Sequence, residues 1–283
     1  MAKVFVVIFV MISLGFLIVG CTAPMGIAES IGIVGQRGPK GISGLEGDAG
    51  LRGDAGEKAG RGDIAILMTS LSNLKRSYYA NIDEFNLQKN DIDTKALFDH
   101  IVFKGLFKLN NPKNGRDDVY ASLKHNIEDI QTVKQIVESL TNSSNSMLEG
   151  YAKDLLIFLR DSARCIKEVI YLLENELDIL QKSNDLEGIS ELSAMLVEML
   201  YRREGVLDAI RNVLDSTKLF LVNLFILHHI ENVRFKLDPI VLLNGKIHKK
   251  IYVDYESLKN LRDAIEKKVN NIKRILDTAI LYD

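Results

Sequence analysis

The 283-residue chain carries 36 Lys and Arg against 38 Asp and Glu, a formal charge of −2, and is 47% apolar. This balance gives no case for a nucleic-acid partner held by bulk electrostatics. Once the first 62 residues are set aside, what remains is an ordinary globular composition, long enough to bury roughly 70% of its unfolded surface.

Residues 1–20 have one early cation, Lys3, and then an apolar run from Val4 to Val19 relieved only by Ser13 and Gly15. The run is short and is followed at once by a processing-like site, so it reads as a secretory signal rather than a spanning helix. The site, Leu17-Ile18-Val19-Gly20-Cys21, resembles the lipobox of bacterial lipoprotein precursors. The resemblance implies that Cys21 becomes the mature N-terminus and is lipidated, with two or three acyl chains giving firm membrane anchoring. The alternatives are an ordinary signal with an unrelated Cys and an uncleaved anchor helix. Cys165 is then the one thiol left, with no partner for a disulfide within the chain, and its helical context predicts a buried small apolar residue.

After a connector at 21–31, Gly occupies every third position from Gly32 to Gly56, through nine triplets. This is the collagen period, which lets three chains pack about one axis only where every third residue lacks a side chain. Only Pro39 fills an X position and the register breaks at Ala59, where Gly is due. The tract 32–63 is therefore read as a stalk, either a trimeric collagen-like rod about 80 Å long or a disordered tether averaging about 30 Å. Two Arg-Gly-Asp tripeptides, 52–54 and Arg61-Gly62-Asp63, resemble the loop motif read by integrins, although a Gly-X-Y tract generates the tripeptide automatically. The second copy is the better candidate, because the repeat has already broken there and the backbone is free to turn.

From Ile64 the period changes to 3.6, and 64–283 is expected to be an all-α head of five to seven helices. Leu67, Leu71, Leu74, Tyr78 and Ile82 share one face of the first. A second, less regular helix is expected over 91–107, followed by a break at Asn110–Gly115. The next is expected to run unbroken from Asp117 to Leu140, presenting Tyr120, Leu123, Ile127, Ile130, Val133 and Val137. A long helix follows from Ser146 to Lys182, then a turn at Ser183–Asp185 and a helix from Ile189 to about Ser216. Leu219–Leu227 is apolar on nearly all sides and is expected to be the most buried helix, too short to cross a bilayer. Pro239–Leu243 and Lys246–Val253 flank Asn244-Gly245, a strong hairpin signal. The final helix is expected over Asp254–Leu281, with Lys267, Lys268, Lys273 and Arg274 on its polar face.

Enzyme templates are not met: no His-Glu-x-x-His, no Gly-x-Ser-x-Gly, and no phosphate or dinucleotide loop. His125 with Glu128 and Asp129 would share a helical face as metal ligands do, and His228-His229 with Glu231 is similar. Such groups arise by chance on charged helices, and neighbouring histidines point about 100° apart, so neither metal nor cofactor is expected.

The segment Arg116-Asp117-Asp118-Val119-Tyr120-Ala121-Ser122-Leu123 and the helix after it resemble the head of a family of Borrelia surface lipoproteins, the one that includes the complement regulator-acquiring surface protein. The likeness extends over 64–283 in helix order and short polar turns. It implies a helical bundle on the outer surface, dimerising in some members through the C-terminal helix, with host ligands such as complement regulators. The chain departs from that pattern in its Gly-X-Y stalk, which favours trimers, and at Asn244-Gly245. Three readings follow. The leading one is a lipid-anchored outer-membrane protein whose head binds a complement regulator or an extracellular-matrix component. The second is a structural spacer or self-assembling trimer without a host ligand, and the weakest is an envelope hydrolase assembled from scattered residues.

Overall fold

The computed structural model describes residues 55–90, 96–103, 115–143, 145–221 and 227–280. The signal, Cys21, the connector, the first Arg-Gly-Asp and most of the repeat lie outside these residues. Leu51–Asp283 forms one compact unit with its own apolar core. Its elements are α1 (Ala55–Tyr78), α2 (Ile82–Gln88), α3 (Ala96–Asp99), a 3-10 turn (Ile101–Phe103), α4 (Arg116–Ser122), α5 (Ile127–Thr141), α6 (Ser146–Lys182), α7 (Leu186–Leu221), α8 (Leu227–Val241), α9 (Lys246–Tyr252) and α10 (Leu258–Ile280). The fold is all-α, as the periodicity predicts, with no strand among the described residues.

The two longest helices organise the rest. α6 has 37 residues and α7 has 36, so each is about 55 Å long. The Asn145 side chain accepts the amide of Met147 to start α6, and Leu148, Leu155, Leu159, Ile166, Val169 and Leu173 keep one stripe buried along it. At the next corner Asp185 accepts the Gly188 amide and starts α7. α7 continues past the expected stop to Leu221, with the hydroxyls of Ser216 and Thr217 both donating to the Val213 carbonyl inside the helix. α1 and α10 lie against both long helices, as do α5, α8 and α9. Ile265, Val269 and Ile272 of α10 are buried in the chain's own core.

Several expectations are corrected. α1 starts at Ala55, inside the repeat, rather than at Ile64, and ends at Tyr78, with Asn81 at φ 59° turning the chain into α2. Of the helix expected over 91–107, the described part is only α3 and the 3-10 turn, with Leu97, Phe98 and Phe103 buried. The run from Asp117 to Leu140 is two helices, because Lys124 and His125 both take positive φ and Asn126 then caps α5 by accepting the Asp129 amide. Leu219 is 75% exposed, so the start of the apolar 219–227 segment is surface, and 222–226 lie outside the described residues.

The fifth correction is the hairpin. Pro239 lies inside α8, two residues before its end, where it supplies no N–H to the helical ladder. Gly245 has φ −61° and ψ 143°, not the positive φ of a hairpin turn. It is required for closeness instead: a β-carbon there would stand 2.5 Å from the Pro239 carbonyl and 2.7 Å from that of Asp238. The last helix also starts later than expected, at Leu258 behind buried Ser257, and leaves Tyr255 exposed.

Candidate functional site

The residues Ser77-Tyr78 close α1, and Tyr120-Ala121 lie in the last turn of α4. Helix ends leave carbonyls without intrahelical donors, and one buried cation from α7 serves both. Arg203 donates from Nε to Ser77 Oγ at 2.9 Å, and from Nη2 to the Ser77 carbonyl at 3.2 Å and the Ala121 carbonyl at 2.7 Å. Burial pulls its guanidinium down to about 10, so it remains a cation at neutral pH. Glu204 beside it accepts from Ser77 Oγ and from Lys124 Nζ.

Around this clamp the end of α1, the short helices α2 and α4 and the middle of α6 line a cleft of about 200 Å³. Its walls are Tyr78, Tyr79, Phe85, Tyr120 and Tyr171, with Lys89, Lys167, Asp117 and His125 between the rings. Phe85 and Tyr120 lie 4.7 Å apart between ring centres, and Lys89 Nζ is 5.6 Å and 5.3 Å from those two centres. The Tyr78 hydroxyl donates to Asp118 at 2.6 Å, and Lys167 reaches the same carboxylate at 3.0 Å. Burial, reinforced by the Asp118 charge, pushes the Tyr78 hydroxyl well above its ordinary range, so it stays a donor. His125 Nδ1 donates to the Ala80 carbonyl at 3.0 Å, and burial lowers the ring below its ordinary value, favouring the neutral form. Tyr79 and Tyr171 keep 41% and 51% of their surface open at the rim.

A second depression, of about 750 Å³, is lined by Gln135, Glu138, Ser139, Asn142, Ser143, Lys218, Leu221 and Ile230. Its two hydroxyls are spent on carbonyls of their own segment, Ser139 on Gln135 and Ser143 on Leu140. Lys218 is held by Glu128 and Asp215, and the Glu128 hydrogen bond raises it further above its ordinary value. A lysine so held is a poor base.

The residues singled out from sequence are dispersed. Arg61, Gly62 and Asp63 lie within α1, so the second Arg-Gly-Asp is helical where a turn is expected. His125 sits in the corner before α5 rather than on its face, while Glu128 pairs with Lys218 and Asp129 with Arg211. Glu231 is engaged by Arg234. Among the described residues no group of three His, Cys, Asp or Glu is placed to hold a metal. Cys165 is buried as expected, and burial pushes its thiol up to about 12. Lys268 and Lys273 of α10 face Glu191 and Glu176 within the chain. Sequence reading misses Tyr79, Tyr171, Lys89 and Arg203, which meet only in three dimensions; the adjacent Tyr78 and Tyr79 at a helix end were the one available signal.

The fold and these sites define an all-helical bundle protein that presents an aromatic recess at its surface, with no nucleophile and base brought together among the residues lining either depression. The family described as the Borrelia Bbcrasp-1 domain containing proteins matches residues 84–277. The chain belongs to this family of Borrelia surface lipoproteins. A crystal structure of the Borrelia spielmanii protein BSA64, an orthologue of B. burgdorferi BBA64, is similar at a TM-score of 0.48 and 16% identity, over 76% of this chain and 96% of that one. A C-terminal proteolytic fragment of an outer surface protein from Borrelia burgdorferi is similar at a TM-score of 0.28 and 16% identity, over 75% and 99%. No curated protein matches the chain.

Proposed function

We propose that this is a non-enzymatic lipoprotein of the outer surface, anchored through lipid on Cys21, whose helical head binds a host protein such as a complement regulator or a matrix component. The observation that carries the reading is the aromatic cleft. It combines half-open Tyr79 and Tyr171 with a rigid floor of Phe85 and Tyr120, and tyrosines seated in this way are the common anchors of protein interfaces. At about 200 Å³ it is smaller than the roughly 300–1,000 Å³ of ordinary small-molecule sites. That is room for one projecting side chain of a larger partner. Family membership supports the same reading.

The test is binding of purified complement regulators and matrix proteins to immobilised 51–283, with Tyr79→Ala and Tyr171→Ala as the comparison. Each substitution is expected to weaken a genuine ligand at least tenfold, about 1.4 kcal/mol. A ligand that binds both variants as well as the parent would move the binding surface elsewhere, and no binding to any of them would leave the spacer reading in its place.

A further inference from the structure

The short helix α9 has a clean division of faces. Ile247, His248 and Ile251 are buried, while Lys249, Lys250 and Val253 follow Lys246 by three, four and seven positions along the opposite side. Among the described residues the ammonium groups of these three lysines meet no carboxylate, whereas Lys167, Lys218 and Lys273 of the long helices each find one. In sequence no Asp or Glu occurs from Pro239 to Val253; the flanking acids are Asp238, which accepts from Tyr151, the exposed Asp254, and Glu256, which pairs with Arg202. Bulky apolar side chains frame the lysines. Leu243, just before the helix, is 78% exposed, Val253 is 57% exposed, and Tyr255, just after, is 94% exposed.

We propose that the α9 corner is a docking surface for an anionic lipid bilayer. A positive face without counter-ions calls for a polyanion, and charge complementarity alone would admit a sulfated polysaccharide or an acidic protein. The apolar rim decides between them. A sugar polymer could stack on Tyr255 but offers Leu243 and Val253 little, whereas a bilayer offers headgroup charge to the lysines and an apolar layer to all three side chains beside them. None of these residues lines the aromatic cleft.

The experiment is cosedimentation of 51–283, which lacks Cys21, with vesicles of about one third phosphatidylglycerol in phosphatidylcholine, and with pure phosphatidylcholine, at low salt. Binding is expected to the anionic vesicles only and to weaken as salt rises. Replacing Lys246, Lys249 and Lys250 together by Ala is expected to reduce partitioning about a hundredfold, from roughly a factor of five per lysine near a charged bilayer. The pair Leu243→Ser and Tyr255→Ser, at side chains outside the core, should weaken it independently and guards against misfolding of the triple variant. Absence of binding to anionic vesicles, or equal binding by parent and both variants, overturns the proposal. Retention on a heparin column without vesicle binding also overturns it and assigns the lysines to a polysaccharide.

Discussion

Replacing Arg203 by Met keeps most of the side-chain volume and removes the cation that joins three helices. Three hydrogen bonds are lost, at 2.7, 2.9 and 3.2 Å. The Ala121 carbonyl keeps the backbone amide of Lys124 as a donor, whereas the Ser77 carbonyl is left with no donor of its own. An unsatisfied buried acceptor costs roughly 1–3 kcal/mol, and relief from burying a guanidinium returns part of the loss. With the three charge-assisted hydrogen bonds worth roughly 1.5–3 kcal/mol each and that relief set against them, the net is a destabilisation of about 3 kcal/mol. With a urea slope of about 3 kcal/mol/M for a unit of this size, the midpoint falls by about 1 M. Arg203→Lys, which can reach one of the three acceptors at a time, should lose about 2 kcal/mol. Equilibrium urea unfolding of 51–283 by circular dichroism measures all three proteins. A Met variant within about 0.5 kcal/mol of the parent would refute the clamp.

Three other outcomes are expected. Gly245→Ala should destabilise by about 1–3 kcal/mol, because the added carbon meets fixed carbonyls, while Gly205→Ala, with open space around it, should stabilise by about 1 kcal/mol; thermal melts of the two give opposite signs. Burial lowers both His125 and His248 below the unfolded value, so the unfolded chain binds more protons at and below pH 6.5, and stability should fall as pH drops from 7.5 to 5. Urea midpoints across that range check this, and His248→Phe, which keeps the ring packing against Phe158 and Tyr252, should flatten the slope. Cys165 in native 51–283 should resist a thiol reagent until the protein unfolds, because the thiol is buried and stays protonated; fast labelling without denaturant would contradict its placement.

Legibility followed the range of the deciding interaction. α6 is plain in sequence from cap to turn, since a 37-residue stripe averages out every local preference. The break before α5 is invisible, because Tyr120, Leu123, Ile127 and Ile130 keep their spacing across it and Lys124 and His125 take positive φ without a glycine to mark them. The Asn81 amide donates to the Lys124 carbonyl from 43 positions away, a contact no window contains. The Asn244-Gly245 signal failed for a different reason. Gly was needed there, but for packing against α8 rather than for its dihedral freedom, and a sequence does not distinguish those uses. The cleft was largely illegible because its rings come from four separate elements, with only the adjacent Tyr78 and Tyr79 standing out in sequence.

Arg203 also bears on how the cleft would receive the partner proposed for it. The two backbone ends it ties, at Ser77 and Ala121, are next in sequence to Tyr78 and Tyr120 in the cleft walls, so those walls cannot separate without breaking the same set of bonds. A partner inserting a side chain there meets a slot already held at its bound width and has little ordering entropy to overcome. Such a recess favours rigid lock-and-key docking, and occupancy should in turn stiffen the joint of α1, α4 and α7.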